Sequence, residues 1–292
     1  MVPVGFTLQP ELEFLERCAP LIRVSEYFEV TPETLWRPGA RGALEPNGFH
    51  RRFAALVGTG KPFVAHGVGL SMGTTAAVDR ARRRRWLAAV RRDHATFRFR
   101  WYTEHLGASS LGGLAMTLPM PLPMTAATAR TVRARLRAMQ AVVPDVGVEN
   151  NVAYFTLGAP LEEPAFLDAC TRAPRTHVLL DLHNVHTMAE NFGFDPEAYL
   201  ARLPLDRVIE IHLSGGRSSD GAWLPGGRVL RLDSHDDAVP ERVWSLYERW
   251  ARRCPRLRGV TLERMEGTVG DGDVAVLREE VRRARTTARR CR

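Results

Sequence analysis

Short β-branched and aromatic runs alternate with amphipathic helical stretches along the whole chain, and this alternation restricts the fold more than any other feature. Strands are expected at Val24 to Val30, Phe63 to Val68, Phe97 to Glu104, Val146 to Glu149, His177 to Leu182, Val208 to Leu213, Val229 to Asp233 and Gly259 to Glu263. Helical patterns fall between most of them, at Thr74 to His94, Ala127 to Val143, Glu163 to Thr171, Pro196 to Leu203 and Val239 to Arg252. Eight strands in a repeated strand-then-helix order imply an α/β fold, a parallel (β/α)8 TIM-type barrel closed by helices. No Ser-, Gly- or Pro-rich linker divides the 292 residues, so a single barrel domain over 1–292 is expected, ending in a basic helix at 273–292. An open doubly wound sheet would place a glycine-rich phosphate loop after its first strand, and Thr31-Pro32-Glu33 stands there instead. The later Gly-rich segment Ser214 to Arg228 lacks phosphate-loop spacing and reads as a loop.

A chain that is 45% hydrophobic and 25% charged is globular, which excludes disordered and coiled-coil classes. The net charge of +8 rests on a chain with one lysine, Lys61, among 41 basic residues, a skew that reads as Arg usage rather than as a binding signal. Its densest clusters, Arg82 to Arg85 with Arg91 and Arg92, and the run from Arg282 to Arg292, lie in expected helices and read as solvated faces. Nucleic acid is not favoured as a partner. The long uncharged stretch from Leu106 to Ala129 is broken by Pro119, Pro121 and Pro123, so it reads as a covering loop and not a membrane helix. Cys18, Cys170, Cys254 and Cys291 form no C-x-x-C pair, and Met1 to Pro10 has no secretory pattern, so reduced thiols and a cytoplasmic location are expected.

In a barrel of this type the active site is built where strands end, and here the ends carry metal-ligand chemistry. His66, His105, Glu149, Asp181, His183, His212, Asp233, His235 and Glu263 all fall at such positions. One His or Glu at a strand end is more often a hydrogen-bonded structural residue. Nine converging on one face are different, because several buried carboxylates would repel each other unless cations neutralise them. Nine candidates are also too many for one ion. Two or three ions would use them, and mixed imidazole and carboxylate ligation without thiolate suits iron, manganese or zinc.

The motifs His66-Gly67-Val68-Gly69-Leu70-Ser71, Glu104-His105-Leu106, Leu122-Pro123, Glu149-Asn150, Leu180-Asp181-Leu182-His183-Asn184-Val185, His212-Leu213-Ser214-Gly215, Asp233-Ser234-His235-Asp236 and Leu262-Glu263-Arg264 follow one another along the chain. Between the last two, Val239-Pro240 precedes Val243-Trp244-Ser245-Leu246-Tyr247. Together they resemble the multinuclear non-haem iron-dependent oxidative enzymes, the family that includes the iron subunit of methanobactin biosynthesis, over roughly Gly5 to Met265. The resemblance implies a TIM barrel with two or three irons of mixed valence. It also implies dioxygen as co-substrate and, as substrate, a cysteine or other residue of a ribosomally made precursor peptide, with a separate peptide-recognition protein as partner.

Carried over by motif, the nine residues above would be the iron ligands, with Glu149 and Asp181 as bridges and Glu149, Asp181 and Asp233 as catalytic. The family often has Asn where His183 stands, so His183 or the adjacent Asn184 is the ligand, and His183 is preferred. His186 reads as a supporting or a surface residue. Met265 replaces a common Asp, and the carboxylates of Glu26-Tyr27-Phe28-Glu29 are read as supporting the barrel mouth. Asn150, Asn151 and Asn184 are candidates for orienting the ligands. Two other classes fit parts of the sequence: a metal-dependent barrel hydrolase or isomerase of phosphodiesterase or sugar-phosphate type, and a non-enzymatic Arg-rich binding module. The second leaves nine strand-end ligands unexplained.

Overall fold

Strands whose residues are buried on both faces make the wall of the fold, as a parallel sheet covered by helices requires. In the computed structural model, which describes residues 1–291, they are β1 (Val4–Leu8), β2 (Phe28–Val30), β3 (Phe63–Gly67), β4 (Tyr102–His105), β5 (Val146–Glu149), β6 (Thr176–Asp181), β7 (Val208–Leu213) and β8 (Gly259–Leu262). All pair in parallel, in chain order, and β8 closes on β1 with Val260 opposite Val4. The expected eight-stranded α/β barrel is therefore present.

Helices cross over between successive strands. α1 (Leu12–Arg17) and α2 (Ala19–Val24) join β1 to β2, α3 (Gly48–Ala54) precedes β3, and α4 (Ala77–Phe97) joins β3 to β4. α5 (Ala126–Gln140), α6 (Glu163–Cys170), α7 (Leu182–Phe192) with α8 (Pro196–Leu200), and α9 (Glu241–Trp250) make the next four crossovers. α10 (Asp273–Ala288) follows β8. It stops short of the basic helix expected to residue 292, and Arg292 itself lies outside the described residues.

Two of the expected elements trade places. Val229 to Asp233 is not a barrel strand but part of the long loop after β7, touching one partner through a single bridge from Arg231 to Ser218. Its β-like composition belongs to an exposed loop arm, with Val229 53% accessible. The eighth strand is instead Val4–Leu8, buried at every position, so it carries no polar alternation to mark it. β2 begins only at Phe28 because α2 runs to Val24, and β4 only at Tyr102 because α4 runs to Phe97.

The uncharged stretch from Leu106 forms an antiparallel hairpin, Ala108–Leu111 with Leu114–Met120, rather than an irregular loop. Two of the arginines expected on a solvated face are not there. Arg82 donates to the carbonyl of Leu70 at 2.7 Å, and the buried Arg83 donates to that of Thr74 at 3.0 Å, so both pin the loop after β3. All four cysteines are buried and unpaired. Among the described residues no helix is long and apolar enough to cross a membrane.

Inside the ring the lower layer is apolar, built from Tyr27, Val64, Trp101 and Ile209. Glycines on β1 and β8 make room for it. A Cβ on Gly5 would stand 2.5 Å from the Tyr27 ring, and one on Gly259 2.5 Å from its hydroxyl. Overpacking of that kind costs about 1–3 kcal/mol. Above this floor the interior turns polar, with Thr7, Glu29, Thr103, Glu210 and Thr261 all buried.

Candidate metal centre

Side chains two apart on a strand share a face, so each ligand at a strand end has a partner directly below it in the barrel. His105 ends β4, Glu149 β5 and Asp181 β6, while His66 and His212 lie one residue before the ends of β3 and β7 and Glu263 directly follows β8. His183 sits in the first turn of α7, which Asp181 caps by accepting the Asn184 N–H at 2.7 Å. Asp233 and His235 come from the loop after β7, with His235 in the left-handed region at φ 50°. A non-glycine residue there stores strain of order 1 kcal/mol, a feature that concentrates at functional sites.

The structure brings all nine expected residues together. His66, Glu149 and His212 form one group of ion-binding size, Asp181, His212 and Glu263 a second, and His183, Asp233 and His235 a third. His105 joins the first, its Nε2 3.1 Å from Glu149 Oε2, and His66 Nε2 stands 3.3 Å from the same oxygen. His235 links the second and third groups, with Nε2 2.8 Å from Asp233 Oδ1 and Nδ1 4.0 Å from Glu263 Oε2. His183 Nδ1 lies 3.0 Å from Asp233 Oδ1.

Unpartnered lone pairs test whether these donors suit metal ions. Glu149 Oε2, Asp181 Oδ2, His212 Nδ1, Glu263 Oε2 and Asn184 Oδ1 are buried without a hydrogen bond, a costly state for polar atoms. His212 Nδ1 and Glu263 Oε2 are only 2.8 Å apart, yet their orientation makes no hydrogen bond. Two ligands at right angles on an ion, each about 2.1 Å from it, stand about 3 Å apart. The donor set therefore fits cations. Asn184 Oδ1 is placed to serve as a ligand beside His183, so both alternatives at that motif remain in reach of the centre.

A second layer fixes the imidazoles. Glu29 Oε2 lies 2.9 Å from His212 Nε2, leaving Nδ1 to face the centre, and Glu29 Oε1 accepts from Thr7 at 2.8 Å. Thr103 Oγ1 holds His66 Nδ1 at 2.9 Å, leaving Nε2 toward Glu149. Asn184 Nδ2 donates to Glu149 Oε1 at 3.3 Å, and the Asn150 amide grips the backbone N–H and carbonyl of Asp181. Glu29, expected at the barrel mouth, thus lies against His212 inside the barrel, where with Glu210 and His212 it forms a further group of ion-binding size, whereas Glu26 bonds the backbone of Val4 at 2.7 Å, away from it. His186 is buried 6.4 Å from His183, ring to ring.

Some supporting residues went unread in the sequence. Glu33 Oε1 accepts the N–H groups of Val68 and Gly69, both at 2.7 Å, and Glu104 accepts that of Leu70 at 2.8 Å, so two buried carboxylates clasp the loop that follows His66. Tyr154 accepts the Asp233 N–H at 3.2 Å and ties the segment after β5 to the loop after β7. The two-residue strand repeat could have found Thr103 below His105 and Glu210 below His212; nothing local marks Glu33 or Tyr154.

The electrostatics are those of cations held by opposed carboxylates. Burial pushes Asp181 up, and Asp233, Glu149 and Glu263 push it further, well above the carboxylate range. Burial acts the same way on Glu263 and Glu149, but neighbouring imidazoles outweigh it. His212 and His235 hold Glu263 down to about 2, and His105 and His66 hold Glu149 below its ordinary value. Burial lowers His66 and His235, but Glu149 raises the first to about 9 and Asp233 the second to about 10. A field that holds extra protons on these rings favours metal cations in their place.

A family model described as RiPP precursor modification enzyme MbnB/TglH/ChrH matches residues 4–289. The chain is 34% identical over 237 residues to a UPF0276 protein of Rhizorhabdus wittichii, covering 81% of this chain and 77% of that protein. A UPF0276 protein of Caulobacter vibrioides is 32% identical over 245 residues, covering 82% and 78%. Among solved structures, a xylose isomerase domain protein from Alicyclobacillus acidocaldarius superposes with a TM-score of 0.58 at 16% identity, covering 99% of this chain and all of that one. Endonuclease IV of Thermus thermophilus gives 0.55 at 19%, covering 98% and 99%. At such identities the likeness is one of fold.

Proposed function

The chain belongs to the MbnB/TglH/ChrH family of RiPP precursor modification enzymes, and we propose that it uses two or three iron ions and dioxygen to oxidise a cysteine of a ribosomally synthesised precursor peptide. The observation that carries this reading is the set of three linked donor groups, rich in imidazole and carboxylate, of which the two built on Glu149, Asp181, His212 and Glu263 hold buried lone pairs without a hydrogen-bond partner. Such a set suits iron, and its size suits more than one ion.

In this reading His66, His105 and Glu149 would hold one ion, Asp181, His212 and Glu263 a second, and His183, Asp233 and His235 a third, and Glu149 and Asp181 are the residues that would be shared between ions. Bound iron would supply the redox chemistry, with dioxygen as the oxidant. The chain's own part is positioning. Glu29 and Thr103 fix which nitrogen of His212 and of His66 faces the centre, and Asn184 steadies Glu149. Access is one-sided: the side chains of His105 and His235 are 21% and 16% accessible, whereas those of His183 and His212 are sealed. The peptide would approach from the His105 and His235 side, while the sealed side excludes water. Glu149, Asp181 and Asp233 are the residues assigned to catalysis. The enzyme would act in the cytoplasm, where its unpaired cysteines stay reduced. A separate protein would recognise the precursor away from the modified residue, leaving this chain to hold the residues around it.

Metal analysis of anaerobically purified protein, with a Mössbauer spectrum, tests the reading. Two to three irons per chain of mixed valence are expected. Zinc or manganese in their place after iron-supplemented growth would move the assignment to a metal-dependent hydrolase or isomerase.

A further inference from the structure

The segment from Leu106 to Ala129 contains no charged residue in a chain that is 25% charged. The hairpin it forms is fixed to the loop after β3, with Ser110 N donating to Ser71 Oγ at 3.1 Å and Gly73 N to the Gly107 carbonyl at 3.2 Å. It nonetheless exposes Leu111, Leu114 and Leu118, and Phe155 and Leu157 are exposed on the segment after β5. Exposed apolar residues depleted of charge mark a binding surface.

Between these two segments runs a cleft. Its outer part, about 540 Å³, is lined by Leu111, Phe155 and Leu157. Its inner part narrows to about 50 Å³, shares Pro121, Leu122 and Leu157 with the outer, and ends at Leu106 and Asn151. Leu106 directly follows His105, and Asn151 lies two residues past Glu149, so the inner end of the cleft sits beside the strand ends that carry two of the donors. Asn151 is 8% exposed; its Oδ1 accepts the Leu106 N–H at 3.1 Å, while its Nδ2 is buried with no partner. A buried amide donor without an acceptor awaits one from outside the chain.

We propose that the precursor peptide lies extended in this cleft, with apolar residues beside the modified one packed between the hairpin and the 151–160 segment and a backbone carbonyl accepting from Asn151 Nδ2. This rests on the reading of the chain as a peptide-oxidising enzyme. The narrowing excludes a globular domain from the inner part, the two ionisable lining residues, Asp79 and Glu163, are acidic and give no counterpart to an anionic headgroup, and an extended peptide meets both conditions. Recognition therefore selects for Leu, Val or Ile near the target residue.

The test uses the full-length, metal-loaded protein under anaerobic conditions and two fluorescein-labelled peptides. One carries Leu-Val-Leu before a single Cys, and the other has Ser-Asp-Ser in the same places. Fluorescence anisotropy is expected to show saturable binding of the first and at least tenfold weaker binding of the second. Leu111→Glu and Leu157→Glu, each at an exposed position, should weaken the first peptide tenfold or more with metal content unchanged, while Trp223→Glu, exposed on the loop after β7 and outside the cleft lining, should not. Equal binding of both peptides, no binding by the wild type, or indifference to both Glu substitutions overturns the proposal. So does sedimentation showing a dimer that Leu111→Glu dissociates without affecting peptide binding. Metal identity, measured on the same samples, separates the two readings: zinc with normal peptide binding removes the oxidation and leaves the cleft.

Discussion

Glu29 and His212 are 183 residues apart in the chain and 2.9 Å apart in the barrel, carboxylate Oε2 to imidazole Nε2. The contact decides which ring nitrogen faces the centre, and carboxylate partners of this kind also raise the basicity of the ligand. Glu29→Leu should lower metal affinity about 10–100-fold with the fold intact, and Glu29→Gln, which still accepts a hydrogen bond, should lower it less. Competition with a chelator, read by metal content, measures both.

Glu149→Gln and Asp233→Asn each remove the charge of a carboxylate that faces two imidazoles. Both should lose iron and activity while circular dichroism remains that of the wild type. Turnover retained with full iron would remove these residues from the centre.

Asp181 responds differently with and without metal. Its carboxylate is opposed by burial and by Asp233, Glu149 and Glu263, and Asn is as good a helix cap for α7. Asp181→Asn should therefore leave chelator-treated protein as stable or raise its Tm by about 2–4 °C, the scale of 1 kcal/mol in a protein of this size. The same substitution should reduce iron loading. A lower Tm in metal-free protein would contradict the account.

Gly216 packs under the loop that carries Asp233. A Cβ there would stand 2.2 Å from the Leu232 carbonyl and 3.0 Å from His183 Cε1. Gly216→Ala should displace the third donor group and lower iron content by about one ion, whereas Gly272→Ala, which meets nothing within 4 Å, should not. Iron quantified per chain in the two variants checks this.

Stability should also depend on pH through Glu280, which accepts the Val239 N–H at 2.6 Å. Burial, with Asp237 and Asp273 nearby, raises its carboxyl from about 4.5 to about 7. Between those values the folded protein binds more protons than the unfolded chain, so stability falls as pH rises through that window. Glu280→Gln should flatten the change in Tm between pH 5 and pH 8; an unchanged slope would exclude this residue as its source.

The nine candidate residues could be found in the sequence because each is a chemically distinctive side chain near the end of an apolar run, a signal that survives errors in the architecture. Asp233 and His235 reach the centre although the strand expected to deliver them is a loop. β1 escaped because a strand buried at every position has no alternation to display. Arg82 and Arg83 looked like part of a solvated run, yet they bind carbonyls of the loop after His66, a destination set by tertiary packing alone. Glu29 was expected at the barrel mouth and lies inside the barrel, and its partner could be named only once the ring had closed.

That closure has a consequence for how the protein is made. Val4 finds its partner Val260 only when nearly all of the chain has left the ribosome. The donors His183, Asp233 and His235 lie within one late stretch of sequence, but His66, Glu149 and His212 draw on β3, β5 and β7. A nascent chain therefore presents these donors scattered until β8 has been made, and any metal that needs all three groups can be held only after the barrel has closed.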